Sequence, residues 1–216
     1  MSDQVTILPI KMTDLPAVTE VHLAAFSDRA LATLGAEAIQ RYYAGILSDH
    51  PDTFHLKAVQ GGQIIGFCFG GVFGPGGALG TFLQRHKRFL AWQVLKRPWL
   101  VVSNPLFRKR VLMAARLLLR APQPTQSTSA RPAPIFRVLA IATHPNFQGQ
   151  GVGKLLMAEA EAIAKKHGYA EIGLSVDLAN TQALRFYERQ GWQRLEHRGV
   201  WSGGMWKQVG GPNDSH

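Results

Sequence analysis

The stretch THPNFQGQGVGKLLMAEAEAIAKKHG, residues 143–168, carries the strongest structural signal of the chain, with glycines at positions 149, 151 and 153. It follows an apolar run, PIFRVLAIAT at 134–143, that predicts a strand, and its own second half is rich in helix-forming residues. A strand, a glycine-rich turn and a helix N-terminus form an anion site, because backbone N–H groups and the positive end of the helix dipole converge there. Glycines also let the backbone come close to a ligand. The stretch therefore predicts that the loop holds an anion.

Three anionic ligands compete for such a loop. A Walker loop needs a first glycine where Gln148 stands, and it needs Ser or Thr where Leu155 follows Gly153 and Lys154. A dinucleotide fingerprint needs a third glycine where Lys154 stands, although Glu171 lies at about the right distance downstream. Both patterns are therefore disfavoured, and the pyrophosphate of coenzyme A is the third candidate.

Two motifs in order carry a resemblance to a known family. The loop QGQGVG at 148–153 follows IATHP, and NTQALRFYERQGW lies downstream at 180–192. Together they resemble the GNAT superfamily of N-acetyltransferases, whose loop pattern is Gln/Arg-x-x-Gly-x-Gly/Ala. The residues that match the two family patterns are Gln148, Gly151, Gly153, Asn180, Ala183, Tyr187, Gly191 and Trp192. The resemblance is best over residues 138–209.

The resemblance implies the GNAT fold, an α/β architecture with a mixed, mostly antiparallel central sheet, splayed middle strands and flanking helices. The hydrophobic patterns of the chain agree with that order. The predicted elements are a strand at 5–10, a helix at 13–26 capped by Thr13 or Asp14, a helix at 35–51, a hairpin at 53–73 turning at Gly61 and Gly62, strands at 134–143 and 169–177, helices at 151–166 and 180–190, and closing strands at 191–201 and 203–209.

A basic segment interrupts this order. The chain has 24 Lys and Arg residues against 14 Asp and Glu, which gives a formal net charge of +10. Residues 75–134 contain 11 of the basic residues and no acidic residue, so this segment accounts for the imbalance. We interpret 1–209 as one GNAT acetyltransferase domain, 75–134 as a basic amphipathic insertion and linker within it, and 210–216 as a flexible tail.

The composition of the insertion predicts helices and then a linker. Phe82 and Phe89 recur at helical spacing, RVLMAARLLLR at 110–120 reads as a further helical piece, and 121–134 is rich in Pro, Ser and Thr. Its basic and aromatic residues suit an anionic acceptor or, through 78–120, the surface of an anionic membrane. RNA is a less favoured partner. A solvated lid or a homodimer contact is the alternative without a ligand.

The resemblance implies a role for each residue of the cofactor site, with acetyl-CoA as co-substrate. Backbone groups of Ile141, Ala142 and Thr143 would pair with the pantetheine arm along a splayed strand edge. Asn180 would bind the cofactor, cap the following helix, or do both. The loop residues that would hold the pyrophosphate are Gln148, Gly149, Gln150, Gly151, Val152, Gly153 and Lys154.

The resemblance also implies a catalytic acid, Tyr187, which would protonate the leaving thiolate. The alternative is a core aromatic residue, because Leu184 and Tyr187 share one helix face. The general base is open: ribosomal-protein alanine acetyltransferases of this superfamily carry Glu where Ser175 stands, which argues against a protein N-terminus as acceptor. The candidate bases are Glu20, His22, His55, His144 and Asp177, each of which also suits a structural role.

These observations favour an enzyme that moves an acetyl group from acetyl-CoA to a primary amine of a small-molecule acceptor, such as an amino sugar or a cell-envelope saccharide intermediate. The alternatives are a non-catalytic acyl-CoA-binding module anchored by the insertion, and an aminoacyl-tRNA or protein acetyltransferase. No metal site is expected, and Cys68 reads as a buried apolar residue. The sequence shows neither a signal-peptide pattern nor a membrane-spanning run, so we expect a cytoplasmic protein, with contact to the inner face of the membrane as an option.

Overall fold

The computed structural model describes residues 4–27, 29–49, 52–74, 77–96, 108, 112, 136–197 and 199–210. The chain divides into two compact units. The first comprises Met1–Ile10, Asp52–Val72 and Ala133–His216, and the second comprises Lys11–Pro51 and Phe73–Pro132. The predicted helical piece at 110–120, apart from Leu112, lies outside the described residues, as do the linker at 121–134 and the tail after Gly210.

A seven-stranded sheet forms the centre of the first unit, in the order β1-β2-β3-β4-β5-β7-β6. Every neighbouring pair is antiparallel except β4 with β5, which confirms the predicted mixed, mostly antiparallel sheet. The strands are β1 (Thr6–Pro9), β2 (Thr53–Gln60), β3 (Gln63–Gly71), β4 (Phe136–Thr143), β5 (Glu171–Ser175), β6 (Gln193–His197) and β7 (Val200–Gln208).

The parallel pair of β4 and β5 separates soon after it begins. Phe136 pairs with Ile172 and Arg137 pairs with Gly173, and the register of the two strands contains no further pair. On the other side of β4 the register with β3 shifts at Leu139, the extra residue of a bulge. A bulge bends its strand and increases the local twist. The predicted splay of the middle strands is thus confirmed, and it begins where β4 bends.

The long helix of the first unit covers one face of the sheet. This helix, α6 (Val152–Lys166), buries residues at helical spacing against alternate residues of β2. Its cluster includes Leu156, Met157, Ala160 and Ala164. A short 3-10 turn (Pro145–Phe147) precedes α6, and the remaining helix of this unit is α7 (Thr181–Arg189). Cys68 is fully buried in the same core, as predicted.

The described part of the second unit is helical. A 3-10 turn (Met12–Asp14) leads into α1 (Leu15–Ala25), followed by α2 (Ala30–Thr33), α3 (Ala36–Asp49), α4 (Gly77–Arg85) and α5 (Lys87–Leu95). Helices α1, α2 and α4 each contact α3, and α4 contacts α5. Asp14 precedes α1 as predicted, but its carboxylate accepts from the Lys11 N–H at 2.7 Å rather than from the helix. Among the described residues, no helix is both long and apolar enough to cross a membrane.

The turn between the closing strands lies earlier than predicted. It falls before β7 begins at Val200, beside Gly199, whose φ of 73° lies in the left-handed region that favours glycine. The predicted closing strands, 191–201 and 203–209, placed the break at Ser202. The two glycines that follow it instead lie inside β7, where Gly203 also has a positive φ of 95°. Which glycine forms the turn was set by the register of β7 against β5 and β6.

Candidate active site

The glycine loop ends at the N-terminus of α6 without a side-chain cap. Gly149 and Gly151 have φ values of 77° and 82°, which L-residues with a side chain rarely adopt. Gly151 is the N-cap of α6, and the first turn of the helix contains no acidic residue. The first N–H groups of a helix have no intrahelical partner, so they are donors for an anion. The loop residues 148–151 and Lys154 are exposed, and space around the two glycines is open. These features fit a pyrophosphate.

The third glycine of the loop is explained by close packing and not by a positive φ. Gly153 lies inside α6, and a Cβ there would stand 3.3 Å from the ring of Phe186 and 3.8 Å from Thr143 Oγ1. A side chain would therefore push on α7. The absence of that side chain lets Phe186 approach the first turn of α6. The two sequence motifs thus meet in space at Gly153.

Alternate residues of β4 direct their backbone N–H and carbonyl groups to its open edge, on the side away from β3. The His144 N–H donates to the Ile65 carbonyl of β3 at 2.8 Å. Because backbone direction alternates in an antiparallel ladder, Ala142 also directs its N–H and carbonyl toward β3. Ile141 and Thr143 direct theirs to the opposite edge, where β5 has separated. Of the three residues predicted for the pantetheine arm, Ile141 and Thr143 therefore lie on the open edge, whereas Ala142 faces β3.

Two glutamine side chains tie the loop to its surroundings. Gln148 Nε2 donates to the Thr143 carbonyl at 3.3 Å, and Gln150 Nε2 donates to the Asn146 carbonyl at 3.3 Å. The family pattern names the first of these positions, and its contact here is with the last residue of β4. Gln148 therefore links the loop to the open edge of β4. The backbone of Ile141 remains directed into the gap between β4 and β5.

Asn180 caps α7. Its side-chain Oδ1 accepts from the Ala183 N–H at 3.0 Å, so the expected N-cap role is confirmed. The amide has a second end, Nδ2, which is a donor. Its role toward a cofactor stays a prediction.

Tyr187 lies in the core of the first unit, in contact with aromatic neighbours. Its ring centroid is 5.2 Å from that of Phe186 and 5.9 Å from that of Trp192. Burial raises the pKa of Tyr187, with a smaller contribution from Cys68. The phenol is therefore protonated at neutral pH.

Three candidate bases have structural contacts. His22 Nδ1 lies 2.9 Å from the Tyr43 hydroxyl, and burial lowers the pKa of His22 to about 4. His144 Nδ1 accepts from the Asn146 N–H at 3.3 Å, and Asp177 Oδ1 accepts from the Ala179 N–H at 3.0 Å. Each of the three thus supports local structure.

The other candidates differ from these. His55 Nδ1 is buried without a hydrogen-bond partner among the described residues, and burial is the main cause that lowers the pKa of this imidazole. Glu20 is exposed on α1, and Ser175 is exposed at the end of β5. Among the described residues, no group of three or more His, Cys, Asp or Glu is arranged to hold a metal ion.

Sequence reasoning missed one residue of this region. Glu161 of α6 accepts from Trp192 Nε1 at 3.1 Å and pairs with Lys207 Nζ at 2.7 Å. Trp192 in turn packs against Tyr187. The signal in the sequence was a carboxylate one helical turn after the buried Met157, at the border of the apolar face. That signal does not identify Trp192 and Lys207 as the partners of Glu161, because they lie 31 and 46 positions further along the chain.

Comparison with known proteins agrees with this geometry. Residues 114–192 match a family model described as the acetyltransferase (GNAT) family. The GCN5-related N-acetyltransferase 4, chloroplastic, of Arabidopsis thaliana is 36% identical over 74 residues, which are 34% of this chain and 24% of that protein. The chain spans about a quarter of the length of the curated relatives that it matches.

Solved structures agree over nearly the whole chain. The PaiA N-acetyltransferase from Thermoplasma acidophilum in complex with coenzyme A has a TM-score of 0.57 at 16% identity, covering 95% of this chain and 99% of that one. The ribosomal-protein-S18-alanine N-acetyltransferase from Escherichia coli has a TM-score of 0.56 at 16% identity, covering 97% and 98%. These likenesses show the fold. The match at 114–192 covers less than half of this chain, so this region is similar in sequence to the acetyltransferase (GNAT) family, and the fold is similar over nearly the whole chain.

Proposed function

We propose that this chain transfers an acetyl group from acetyl-CoA to a primary amine. The observation that carries the proposal is the uncapped N-terminus of α6 beside the open edge of β4. A pyrophosphate at that N-terminus would receive hydrogen bonds from backbone N–H groups of the first turn and charge from Lys154. The pantetheine arm would lie along the edge to which Ile141 directs its backbone. Acetyl-CoA supplies the acetyl group as a thioester.

Starting from the neutral amine, the reaction needs one proton removed from nitrogen and one delivered to sulfur. A bond forms from the acceptor nitrogen to the acetyl carbon, and the carbon–sulfur bond breaks, so a proton leaves nitrogen and another reaches sulfur. Tyr187 would donate a hydrogen bond to the sulfur as negative charge develops there. A thiol pKa is near 8.5, lower than that of a buried phenol, so full transfer from Tyr187 alone is uphill. Its role is therefore stabilisation of the developing thiolate, with net proton delivery completed from solvent.

We propose a small acceptor that carries an anionic group as well as its amine. Ser175 replaces the Glu of ribosomal-protein alanine acetyltransferases, which argues against a protein N-terminus. Residues 75–134 contain 11 Lys or Arg residues and no acidic residue. A nucleotide-linked amino sugar has both of the required groups and is the acceptor class that we would test first.

A specific observation also supports a non-catalytic acyl-CoA-binding module. His22, His144 and Asp177 are engaged in structural contacts, which leaves exposed Glu20 and half-buried His55 as candidate bases in the described residues. An ammonium acceptor needs a base before it can attack. A binder would retain the α6 N-terminus and need no base.

One measurement separates the two functions: release of free CoA thiol from acetyl-CoA in the presence of nucleotide-linked amino sugars, polyamines, peptides or aminoacyl-tRNA. We expect turnover with the amino sugars above the rate without acceptor. Tight binding of acetyl-CoA by calorimetry without turnover on any acceptor would favour the binding module. Absence of acetyl-CoA binding would contradict both functions.

A further inference from the structure

Helix α5 is apolar on two opposite faces. Leu90 is buried, and Phe89 and Val94 beside it are half-buried. On the other side Trp92 is 50% exposed and Leu95 is 76% exposed. A helix at the surface of a soluble protein usually places polar residues on the side that faces water. The second apolar face of α5 is therefore not covered by the part of its unit that the structure describes.

Positive charges flank this outward face. At about 100° per residue, Leu95 and Arg88 lie near the centre of the exposed side, with Lys87 and Lys96 toward its two edges. Lys96 Nζ lies 3.2 Å from the centroid of the Trp92 ring. No Asp or Glu occurs in Gly77–Lys96. A face whose centre holds Leu95 beside Arg88, with a lysine toward each edge, matches a lipid surface, where the stems of basic side chains run along apolar surface and their charged ends reach the phosphates.

The charges at the start of α5 oppose its dipole. Lys87 and Arg88 occupy the first turn, and no acidic residue accompanies them there. Cations near a helix N-terminus are unfavourable because that end carries partial positive charge. The positions therefore cost folding stability, and a contact with an external anion would offset that cost.

We propose that the exposed face of α5, formed by Lys87, Arg88, Ala91, Trp92, Leu95 and Lys96, docks on an anionic lipid membrane. Trp92 and Leu95 enter the boundary between headgroups and acyl chains, and the basic side chains contact lipid phosphates. Nucleic acid would pair with the charges but would leave Leu95 exposed, so lipid accounts for more of the surface. This inference goes beyond acetyl transfer and does not depend on it.

The intact chain is tested by sedimentation with vesicles. One set contains equal parts of phosphatidylcholine and phosphatidylglycerol, and the other contains phosphatidylcholine alone. We expect binding to the anionic set at about 0.1 M salt, and much weaker binding at about 1 M salt, where the Debye length falls from about 10 Å to about 3 Å. Failure to sediment with the anionic vesicles at low salt would overturn the proposal.

Two pairs of variants distinguish binding by the exposed face of α5 from a nonspecific effect of charge on binding. Leu95→Glu is matched by Val200→Glu, because Val200 is 67% exposed on β7 in the other unit. The double variant Lys87→Gln with Arg88→Gln is matched by Lys165→Gln with Lys166→Gln, an exposed basic pair in the last turn of α6.

We expect the α5 charge variant to weaken vesicle affinity roughly 25-fold, about fivefold for each charge, while its control changes much less. Its thermal stability should stay the same or rise, because charges that oppose the helix dipole are removed. Leu95→Glu should weaken binding and Val200→Glu should not. Equal losses within either pair would overturn the assignment to α5.

Two further measurements test whether RNA or a second copy of the chain, instead of lipid, binds this face of α5. Binding to single-stranded RNA that Leu95→Glu leaves intact, with no vesicle binding, would assign the charges to nucleic acid instead. Sedimentation velocity that shows a dimer, converted to a monomer by Leu95→Glu, would assign the face to a second copy of the chain. Either result contradicts the lipid proposal. A monomer that binds anionic vesicles and not RNA supports it.

Discussion

Glu161 and Trp192 are joined by a hydrogen bond of 3.1 Å from the indole Nε1 to the carboxylate Oε1, although 31 positions separate them. The other oxygen of Glu161 lies 2.7 Å from Lys207 Nζ. One carboxylate thereby connects α6 to the start of β6 and to β7. Trp192 also packs against Tyr187. Trp192 therefore links Glu161 to Tyr187, the proposed hydrogen-bond donor to the sulfur.

Removal of this carboxylate should destabilise the fold. Glu161→Ala leaves the Trp192 N–H and the Lys207 ammonium without their partner, so we expect a loss of about 2–3 kcal/mol in the free energy of unfolding, measured in urea. The control is Glu188→Ala, whose pair with Arg194 at 2.7 Å is exposed and should contribute less than about 1 kcal/mol. Similar losses in both variants would show that Glu161 has no special structural role.

The anion site is tested at Gly151. In Gly151→Asp the new carboxylate would occupy the N-terminus of α6 and repel phosphate, so acetyl-CoA affinity should fall by roughly 100-fold or more in calorimetry. Gly62→Asp is the matched control, because its φ of 78° is close to the 82° of Gly151 and both positions have open space. A Gly151→Asp protein that still binds acetyl-CoA as wild type does would refute the loop assignment.

The role of Tyr187 is tested by removal of its hydroxyl. Tyr187→Phe should lower kcat by roughly 100-fold or more while acetyl-CoA affinity stays within about twofold, since hydrogen-bond donation to sulfur matters only as the bond breaks. Tyr169→Phe makes the same chemical change at a partly buried ring whose centroid lies 4.9 Å from that of Phe136, and it should leave kcat unchanged. An unchanged kcat in Tyr187→Phe would leave Tyr187 as a core aromatic residue.

Stability should fall in mild acid because of His22. Burial lowers the pKa of His22 from 6.5 to about 4, so between these values the unfolded chain binds a proton that the folded chain does not. The contribution of neutral His22 is therefore full above about pH 6.5 and is lost as pH falls toward 4, by at most roughly 3 kcal/mol.

Urea unfolding across this pH range checks the effect. His22→Asn, which does not titrate, should flatten the dependence of the unfolding free energy on pH. Tyr43→Phe removes the hydrogen bond of 2.9 Å but keeps the buried imidazole, so it should lower stability at every pH and keep the slope. A slope that survives in His22→Asn would assign the pH dependence to other groups.

Much of the fold and part of the site could be predicted from the sequence, because they depend on residues that lie close together along the chain. The positive φ of Gly149 and Gly151, and the cap that Asn180 gives to Ala183 at 3.0 Å, are local features of this kind. The order of strands and helices followed from apolar spacing for the same reason.

Tertiary structure decided the features that join distant residues. The bulge at Leu139 and the two-pair contact of β4 with β5 depend on the twist of the sheet, and they determine that Ile141 rather than Ala142 faces the gap. The partners of the Glu161 carboxylate are brought to it by tertiary packing, because Trp192 and Lys207 lie far from Glu161 along the chain. The sequence by itself determined the glycine loop, the cap at Asn180 and the element order, since these arise from short-range sterics and hydrogen bonds. Packing decided which backbone groups face the gap and which apolar face of α5 remains in water, since both depend on contacts across the folded chain.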